Sequence, residues 1–245
     1  MKTRDDSIIL SFFENTKVFF LDHADPEIVK KYSRYFREGY DAWGIDDKTM
    51  REQRDLWYGQ WKQQLSRQQL MALGDKLMAS GKYEESILAI NILIQLQKED
   101  SSGIMAKAGE WLESNVSNWA QTDYLSGEVI SFLINKDVTL LNDLEAWKKS
   151  VSRWRRRAIP VSLIKVMKQG YDPAKLLHII DPIMSDNVRE VHQGLGWFLR
   201  ETWKKHPGLT EKFLLKWKDT CARLIIQYAT EKMDKAQKEN YKRIK

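Results

Sequence analysis

Apolar residues recur along almost the whole chain at spacings of three and four, the period of an amphipathic helix. Signals of β-structure are nearly missing, because the chain has no Asn-Gly or Asp-Gly hairpin turn and no sustained alternation of apolar and polar residues. The pattern therefore predicts an all-α protein, and Asp25-Pro26 predicts a capped helix start. The predicted helices cover residues 7–21, 28–39, 49–64, 66–80, 83–97, 104–114, 119–134, 140–149, 154–168, 173–184, 188–205 and 209–233.

A faint internal repeat is typical of stacked helix pairs. Residues 154–163 can be laid on residues 190–199 with a shift of about 36 residues, somewhat shorter than a HEAT repeat. The overlay places Ala158 in register with Gly194, and small residues of this kind occur where helices approach closely. The repeat favours a helical-repeat architecture, and a compact helix bundle is the alternative.

The charge, the cysteine count and the lengths of the apolar runs limit where the protein can be located and what kind of partner it can have. The 245 residues carry a formal net charge of +6, which is a modest preference for polyanions. Cys221 is the only cysteine, which excludes a disulfide framework or a cysteine-based metal site and fits a reducing, cytoplasmic location. No stretch reaches the about 18 consecutive apolar residues of a membrane span, and residues 1–10 lack the apolar core of a secretory signal. We expect one domain over residues 1–245, whose charged tail at residues 231–245 frays.

The positive charge is concentrated in the run from Lys148 to Lys168, which contains eight cations and no acid. Because a patch of one sign repels itself, the run indicates an anionic partner. A guanidinium group binds phosphate oxygens with two parallel hydrogen bonds, so the arginines favour nucleic acid. A helix end whose cations face the C-terminal dipole is the alternative. The residues expected to bind nucleic acid are Lys148, Lys149, Arg153, Arg155 and Arg156, with Arg200 further along the chain.

Two groups of residues are candidates for chemistry. Trp119 and Asp123 are four residues apart, so on a helix they share a face, where a carboxylate would lie beside an aromatic ring. The alternative interpretation places this Trp in the core and the Asp in solvent. Trp197 follows Gly194 and Gly196, and glycines inside a helix indicate either close packing or access to the tryptophan. The four histidines show no metal-ligand spacing and no nucleotide-binding motif occurs, so an enzyme here would use a carboxylate and neither metal nor cofactor.

Three motifs in this order resemble the AlkD-like DNA alkylation repair glycosylases, a family of HEAT-like repeat proteins. The motifs are Trp119-x-x-x-Asp123, Trp154-x-x-Arg157-Ala158 and Gly196-Trp197-x-Leu199-Arg200-Glu201, the last followed by Pro207. Residues 32–36 and 43–45 resemble the family's N-terminal helix and the glycine-containing loop after it. The resemblance extends from about residue 25 to about residue 230. It implies an all-α, HEAT-like superhelix with a concave basic cleft.

The resemblance also implies a role for each matched residue. Asp123 matches the catalytic carboxylate, and Trp119 and Trp197 match two tryptophans that pack against the deoxyribose and backbone of the lesion. Arg157 matches an arginine that contacts the DNA backbone, and the Ala158 that follows distinguishes it from its neighbouring arginines. The implied reaction is hydrolysis of the N-glycosidic bond of N3- and N7-alkylated purines in duplex DNA, without base flipping.

The expected partner is thus double-stranded DNA with alkylated purines. The protein is expected to be a monomer at the nucleoid in the cytoplasm, with no metal, cofactor or membrane contact. A non-catalytic relative that recognises duplex shape or branched DNA is the first alternative. A protein-interaction scaffold, a common use of helical repeats, is the second, and the basic run disfavours it.

Overall fold

The computed structural model describes residues 4–243, and in that part of the chain it contains helices and no strands. The α-helices are α1 Arg4–His23, α2 Pro26–Ser33, α3 Asp47–Gln64, α4 Arg67–Ala79, α5 Tyr83–Glu99, α6 Ile104–Ser114, α7 Trp119–Leu125, α8 Ser131–Lys136, α9 Asp143–Trp147, α10 Arg153–Lys168, α11 Pro173–Ile180, α12 Arg189–Lys205, α13 Pro207–Trp217, α14 Arg223–Ala229 and α15 Lys235–Glu239. A π turn at Ser126–Ile130 joins α7 to α8, and 3-10 turns occur at Val138–Asn142 and Asp181–Ser185. The all-α prediction is confirmed.

The chain forms two compact units. Unit 1 comprises the residues up to Trp111 together with Asn115–Gln121, and unit 2 comprises Leu112–Ser114 together with the residues from Thr122 onward. The boundaries therefore fall within α6 and α7. The expectation of one domain over residues 1–245 stays a prediction.

The core of unit 1 is built where α4 packs against α5 and α1. Trp61 and Phe20 are fully buried, and both pack against Trp57, with ring centres 5.8 Å and 5.6 Å apart. Burial of each such side chain stabilises the fold by about 1.5–3 kcal/mol, which is the main source of stability for helices of this length.

In unit 2, α12 packs between α10 and α14, and two glycines allow the close approach. A Cβ atom at Gly194 would lie 3.3 Å from the Cγ atoms of Arg157 and Pro160 on α10. A Cβ atom at Gly196 would lie 2.4 Å from the Cβ of Tyr228 on α14, a distance that real side chains do not adopt. The prediction that these glycines serve close helix packing is confirmed.

Both units contain the same helix-linking motif, which agrees with a helical repeat of about 36 residues. In unit 1 the Trp111 indole donates to Asp75 over 2.8 Å, and in unit 2 the Trp217 indole donates to Asp181 over 2.8 Å. The two residues of each pair are 36 positions apart. A lysine on the helix of the tryptophan pairs with the same carboxylate in both units, at 2.9 Å and 2.8 Å.

The helix predicted over residues 28–39 is wrong in its second half, because α2 ends at Ser33, Tyr35 lies in a turn and Phe36 lies outside regular structure. The Tyr35 N–H donates to the Tyr32 carbonyl over 3.0 Å. The aromatic side chains keep a helical spacing in sequence but pack against Trp119, whose indole donates to the Tyr35 carbonyl over 3.2 Å. This tertiary packing overrides the local pattern.

The helix predicted over residues 209–233 is two helices, α13 and α14. In the turn between them the Cys221 N–H donates to the Trp217 carbonyl over 2.9 Å, and Ala222 then adopts an extended ψ of 134°. Apolar residues continue at helical spacing across this turn, so periodicity alone did not show the break.

Within the described part of the charged tail, Met233 and Tyr241 are buried and most of the other residues are exposed. α15 begins with a capping box between Asp234 and Gln237, and Tyr241 is only 2% exposed. The Arg223 guanidinium donates to the Tyr241 carbonyl over 2.6 Å. The expectation that the tail frays stays a prediction, and residues 244–245 lie outside the described part. Within residues 4–243, no helix has both the length and the apolar character needed to cross a bilayer.

Candidate active site

Unit 2 contains a buried ion pair, in which Asp123 on α7 accepts two hydrogen bonds from Arg157 on α10. The Arg157 Nε lies 2.9 Å from one carboxylate oxygen and Nη2 lies 2.9 Å from the other. Nη1 donates to the Glu190 carbonyl over 2.7 Å. The side chains of Arg157 and Asp123 are only 6% and 15% exposed. Two parallel bonds fix the plane of the carboxylate as well as its position.

Burial raises the pKa of the Asp123 carboxyl above its ordinary value, and the hydrogen bonds and charge of Arg157 oppose that rise. The negative charge of this carboxylate therefore depends on its arginine partner. A carboxylate out of water also acts more strongly on a nearby charge, because there is less solvent to screen it.

Asp123 lies in α7, which is capped at its start and runs into a π turn at its end. Asn118 caps α7, since its side chain accepts from the Gln121 N–H over 3.0 Å. The π turn begins three residues after Asp123, at Ser126, and the Ser131 hydroxyl donates to the Gly127 carbonyl within this turn over 2.5 Å. Single π turns inside α-helices are rare and occur often at functional sites.

Trp119 is a member of unit 1 and is 36% exposed, so the interpretation that places it sealed in the core is wrong. Its indole stacks on Phe36 with ring centres 5.4 Å apart and planes inclined by 14°. Phe36 stacks in turn on Tyr40 at 4.5 Å and 13°. One face of Trp119 is therefore held by a row of parallel rings, and the indole N–H is bonded to the Tyr35 carbonyl.

Trp197 is half-buried on α12 and lies between the close-packing glycines and the rest of the helix. The residue before it, Gly196, contacts α14 at Tyr228, whose hydroxyl accepts from the Gln193 amide over 2.9 Å. The indole therefore sits on a helix that packs closely against α10 and α14.

The basic run does not form a patch of one sign, because acids from other elements pair with most of it. Arg155 pairs with Glu113 at 3.1 Å, and Arg156 pairs with Asp186 at 2.6 Å. The other pairs are Lys148 with Glu145, Lys165 with Glu128, and Lys168 with Glu201. Outside the run, Arg200 pairs with Glu201 and Glu231. An acid-free stretch of sequence thus becomes a largely neutralised surface.

Two cations of the run, Arg153 and Lys149, have no carboxylate partner among residues 4–243. The guanidinium of Arg153 lies over the Trp154 ring, 4.7 Å from its centre, and the Lys149 side chain is exposed. These are the expected DNA-binding residues that remain available for a phosphate. Within the described residues, no three His, Cys, Asp or Glu side chains form a group that could hold a metal ion.

Sequence reasoning missed the residues that support the matched ones. Glu113 lies 42 positions from Arg155, and Asp186 lies 30 positions from Arg156. Local sequence patterns do not predict ion pairs between residues this far apart. Phe36 and Tyr35 contact Trp119 across more than 80 positions. The one available signal for the latter was the aromatic-rich stretch at residues 32–40.

Comparison with known proteins gives one family and several solved structures. The model of the family described as DNA alkylation repair enzyme matches residues 19–233. A search of the curated proteins finds no match. A structure described as a predicted DNA alkylation repair enzyme from Enterococcus faecalis is similar at a TM-score of 0.72 with 16% identity, covering 87% of this chain and 98% of that one.

Two structures from Streptococcus mutans are similar at a TM-score of 0.60. AlkD2 is 18% identical, with 85% of this chain and 98% of that chain covered. The protein smu.31 from strain UA159 is 19% identical, with 84% of this chain and 100% of that chain covered. At these identities the likeness shows the fold, which is the helical-repeat architecture predicted from the sequence. Since the family model covers most of the chain, this protein belongs to the DNA alkylation repair enzyme family.

Proposed function

We propose that this protein is a DNA glycosylase that excises N3- and N7-alkylated purines from duplex DNA by hydrolysing the N-glycosidic bond, without flipping the base. The observation that carries the proposal is the carboxylate of Asp123, withdrawn from solvent and held in one plane by the fork of Arg157. The protein would act as a monomer on nucleoid DNA in the cytoplasm.

The chemistry of the substrate explains why a single carboxylate suffices. Alkylation at N3 or N7 gives the purine a positive charge, so the base leaves without being protonated. As the bond to the base breaks, positive charge develops on the sugar, as in other glycoside hydrolyses. A fixed carboxylate stabilises that charge and orients the attacking water, and its effect is largest in a site of low dielectric. Neutral lesions lack this leaving group.

Arg157 has a role in this scheme that differs from a simple phosphate contact. Three of its five N–H groups are already used, two by Asp123 and one by the Glu190 carbonyl. We assign it the positioning of the carboxylate, and the support of its negative charge, during the reaction. Trp119 and Trp197 supply flat indole faces for the deoxyribose and backbone of the lesion, as the family resemblance implies, and such faces also favour a developing cation.

A second candidate is a DNA-binding protein of the same fold without catalysis. The observation in its favour is that both oxygens of Asp123 accept bonds from Arg157, as in a purely structural ion pair. Incubation with duplex DNA containing 7-methylguanine separates the two, because only the glycosylase releases free base. A duplex containing O6-methylguanine, an alkylated but neutral purine, should yield none.

Salt dependence of duplex binding should identify the phosphate contacts. We expect Arg153→Gln and Lys149→Gln each to reduce the slope of log affinity against log salt by about 0.9, the value of one lost phosphate contact. Arg155→Gln should change the slope less, since Glu113 already neutralises that guanidinium. Fluorescence anisotropy with a labelled duplex at several salt concentrations measures the slopes. A slope altered by Arg155→Gln but not by the other two variants would contradict this assignment.

Truncation of tryptophans should separate a recognition role from a core role. Trp111 is 1% exposed, and Trp111→Ala should lower the free energy of unfolding by about 3–5 kcal/mol. Trp119→Ala should cost clearly less stability, because part of that ring already faces solvent, and should instead slow base release. Thermal unfolding and release assays on both variants measure this. Equal loss of stability in the two variants would show that Trp119 serves mainly to hold the fold together.

A further inference from the structure

Unit 2 contains a groove between α11 and α13 that the proposed reaction does not use. Its volume is about 360 Å³. The α13 side chains that line it are spaced at i, i+3, i+4 and i+7, so they share one face of the helix. They are Leu209, Lys212, Phe213 and Lys216, and Leu177 and His178 face them from α11. Two helices side by side leave a furrow of the kind into which a third helix packs.

The floor of the groove is apolar and only partly covered. Leu177 is buried, whereas Leu209 is 37% exposed and Phe213 is half-buried. Leu209 and Phe213 are four positions apart on α13 and are therefore neighbours on its surface. Apolar side chains that stay together in solvent, with polar residues around them, are typical of a surface that another protein covers.

The helix-linking motif shows that the fold does not require an aromatic ring in this groove. In unit 1 the motif has Lys107 four positions before its tryptophan, and in unit 2 the same position holds Phe213. The Lys107 ammonium lies 2.9 Å from the carboxylate of the motif, and its side chain is only 17% exposed. In unit 2 the corresponding bond comes from Lys216, whose side chain is 59% exposed. Because Lys216 makes the link, Phe213 is not needed for it.

The border of the groove carries positive charge. The Asp181 carboxylate at its end is neutralised, since it accepts bonds from the Lys216 ammonium and from the Trp217 indole, each over 2.8 Å. Lys212 on α13 and Lys175 on α11 are both exposed, and neither has a carboxylate partner among residues 4–243. The charge that remains at the border therefore attracts an acidic partner and repels a basic one.

We propose that the groove between α11 and α13 binds an acidic, amphipathic helix of another protein. The apolar face of that helix lies on Leu209 and Phe213, and its acidic flanks meet Lys212 and Lys175. From Leu209 to Lys216 the row extends over about 10 Å, so a helix of about two turns covers it. None of Asp123, Arg157, Trp119 and Trp197 lines the groove, so the proposal does not rest on the proposed function.

Selection from a phage-displayed library of helical peptides on the immobilised full chain tests the proposal. We expect the enriched peptides to carry large apolar residues at i, i+3 or i+4, and i+7, with aspartate or glutamate beside them. Such peptides should bind the free protein at one site, which fluorescence anisotropy with a labelled peptide measures. Enrichment of peptides without acidic residues, or no enrichment at all, overturns the proposal.

Variants of α13 locate the site. Leu209→Ser and Lys212→Glu should each weaken binding of the most enriched peptide by at least about tenfold, the first by removing an apolar contact and the second by reversing a charge. A peptide with lysine in place of its acidic residues should prefer Lys212→Glu to the wild type. Leu215→Ser is the matched control, because Leu215 is 47% exposed on the same helix and does not line the groove. Weakening by Leu215→Ser alone, or equal affinity of the wild type and Lys212→Glu, overturns the proposal.

Two further measurements separate the groove from other surfaces and other partners. Asp123→Asn should bind the enriched peptide with the affinity of the wild type, since Asp123 does not line the groove, and weaker binding by this variant overturns the assignment. Vesicles that contain anionic phospholipid test a membrane as the partner. Vesicle binding that Leu209→Ser abolishes, without binding of any selected peptide, would assign the groove to a lipid surface and overturn the proposal.

Discussion

Replacing Asp123 by Asn is expected to slow the release of alkylated purines from duplex DNA by at least about a hundredfold while duplex binding persists. Asn keeps the shape of the side chain and removes its charge. A charge that faces a developing cation acts mainly in the transition state, so its loss lowers the rate and leaves the affinity for the duplex unchanged. Single-turnover release and duplex binding, measured on the same preparation, test both halves of the expectation.

A matched control is available, because Asp123→Asn also leaves Arg157 without a charged partner. Removing one member of a buried ion pair costs about 3–5 kcal/mol of stability. Asp186 pairs with Arg156 at 2.6 Å, with side chains 7% and 13% exposed, so Asp186→Asn breaks a similar pair in the same unit. Asp186→Asn should lower the melting temperature comparably and retain base release. Equal slowing by both variants would attribute the effect to the fold and not to the chemistry.

Replacing Arg157 by Met should shift the pH dependence of base release. The active form of Asp123 is the carboxylate, so release by the wild type should fall as the pH falls through a midpoint above the ordinary carboxyl range, because burial raises the pKa of this group. Met removes the guanidinium that opposes the rise and leaves the burial. The pKa of Asp123 should therefore increase further, and release should recover only at higher pH than in the wild type.

The pH dependence of base release shows whether Arg157 acts on the Asp123 carboxylate or only stabilises the fold. Arg157→Met and Arg156→Met should both lower stability by about 3–5 kcal/mol, since each leaves a carboxylate without its partner. Only Arg157→Met should move the midpoint of the release profile, and Arg156→Met should keep the wild-type midpoint. Identical profiles for all three proteins would show that Arg157 does not act through Asp123.

The helices and the family were predictable because they depend on short-range patterns. Apolar spacing gave the all-α class, and the small residues Ala158 and Gly194 were correctly expected where helices approach, at the contact between α10 and α12. The ordered motifs around Trp119, Asp123 and Trp197 indicated the family that the family model then matched. Local breaks were harder, since the turn between α13 and α14 preserves the apolar period that would have revealed it.

The electrostatics of the site were not predictable, because they depend on contacts between residues far apart in sequence. The stretch around Arg155 and Arg156 contains no acid, yet Glu113 and Asp186 neutralise both guanidinium groups in the folded chain. Likewise, the pairing of Asp123 with Arg157 joins residues 34 positions apart. The sequence supplied the residue types and their order, whereas the distances that decide which charge is available came only from the packing.

The most direct test of the account is the release of free base from a duplex that contains one 7-methylguanine. The wild type and Asp186→Asn should release 7-methylguanine in a single turnover and leave an abasic site, and Asp123→Asn should release it at least about a hundredfold more slowly. All three proteins should bind the duplex with similar affinity. Release by Asp123→Asn at the wild-type rate, or no release by the wild-type protein, would contradict the assignment of Asp123 as the carboxylate of a DNA glycosylase.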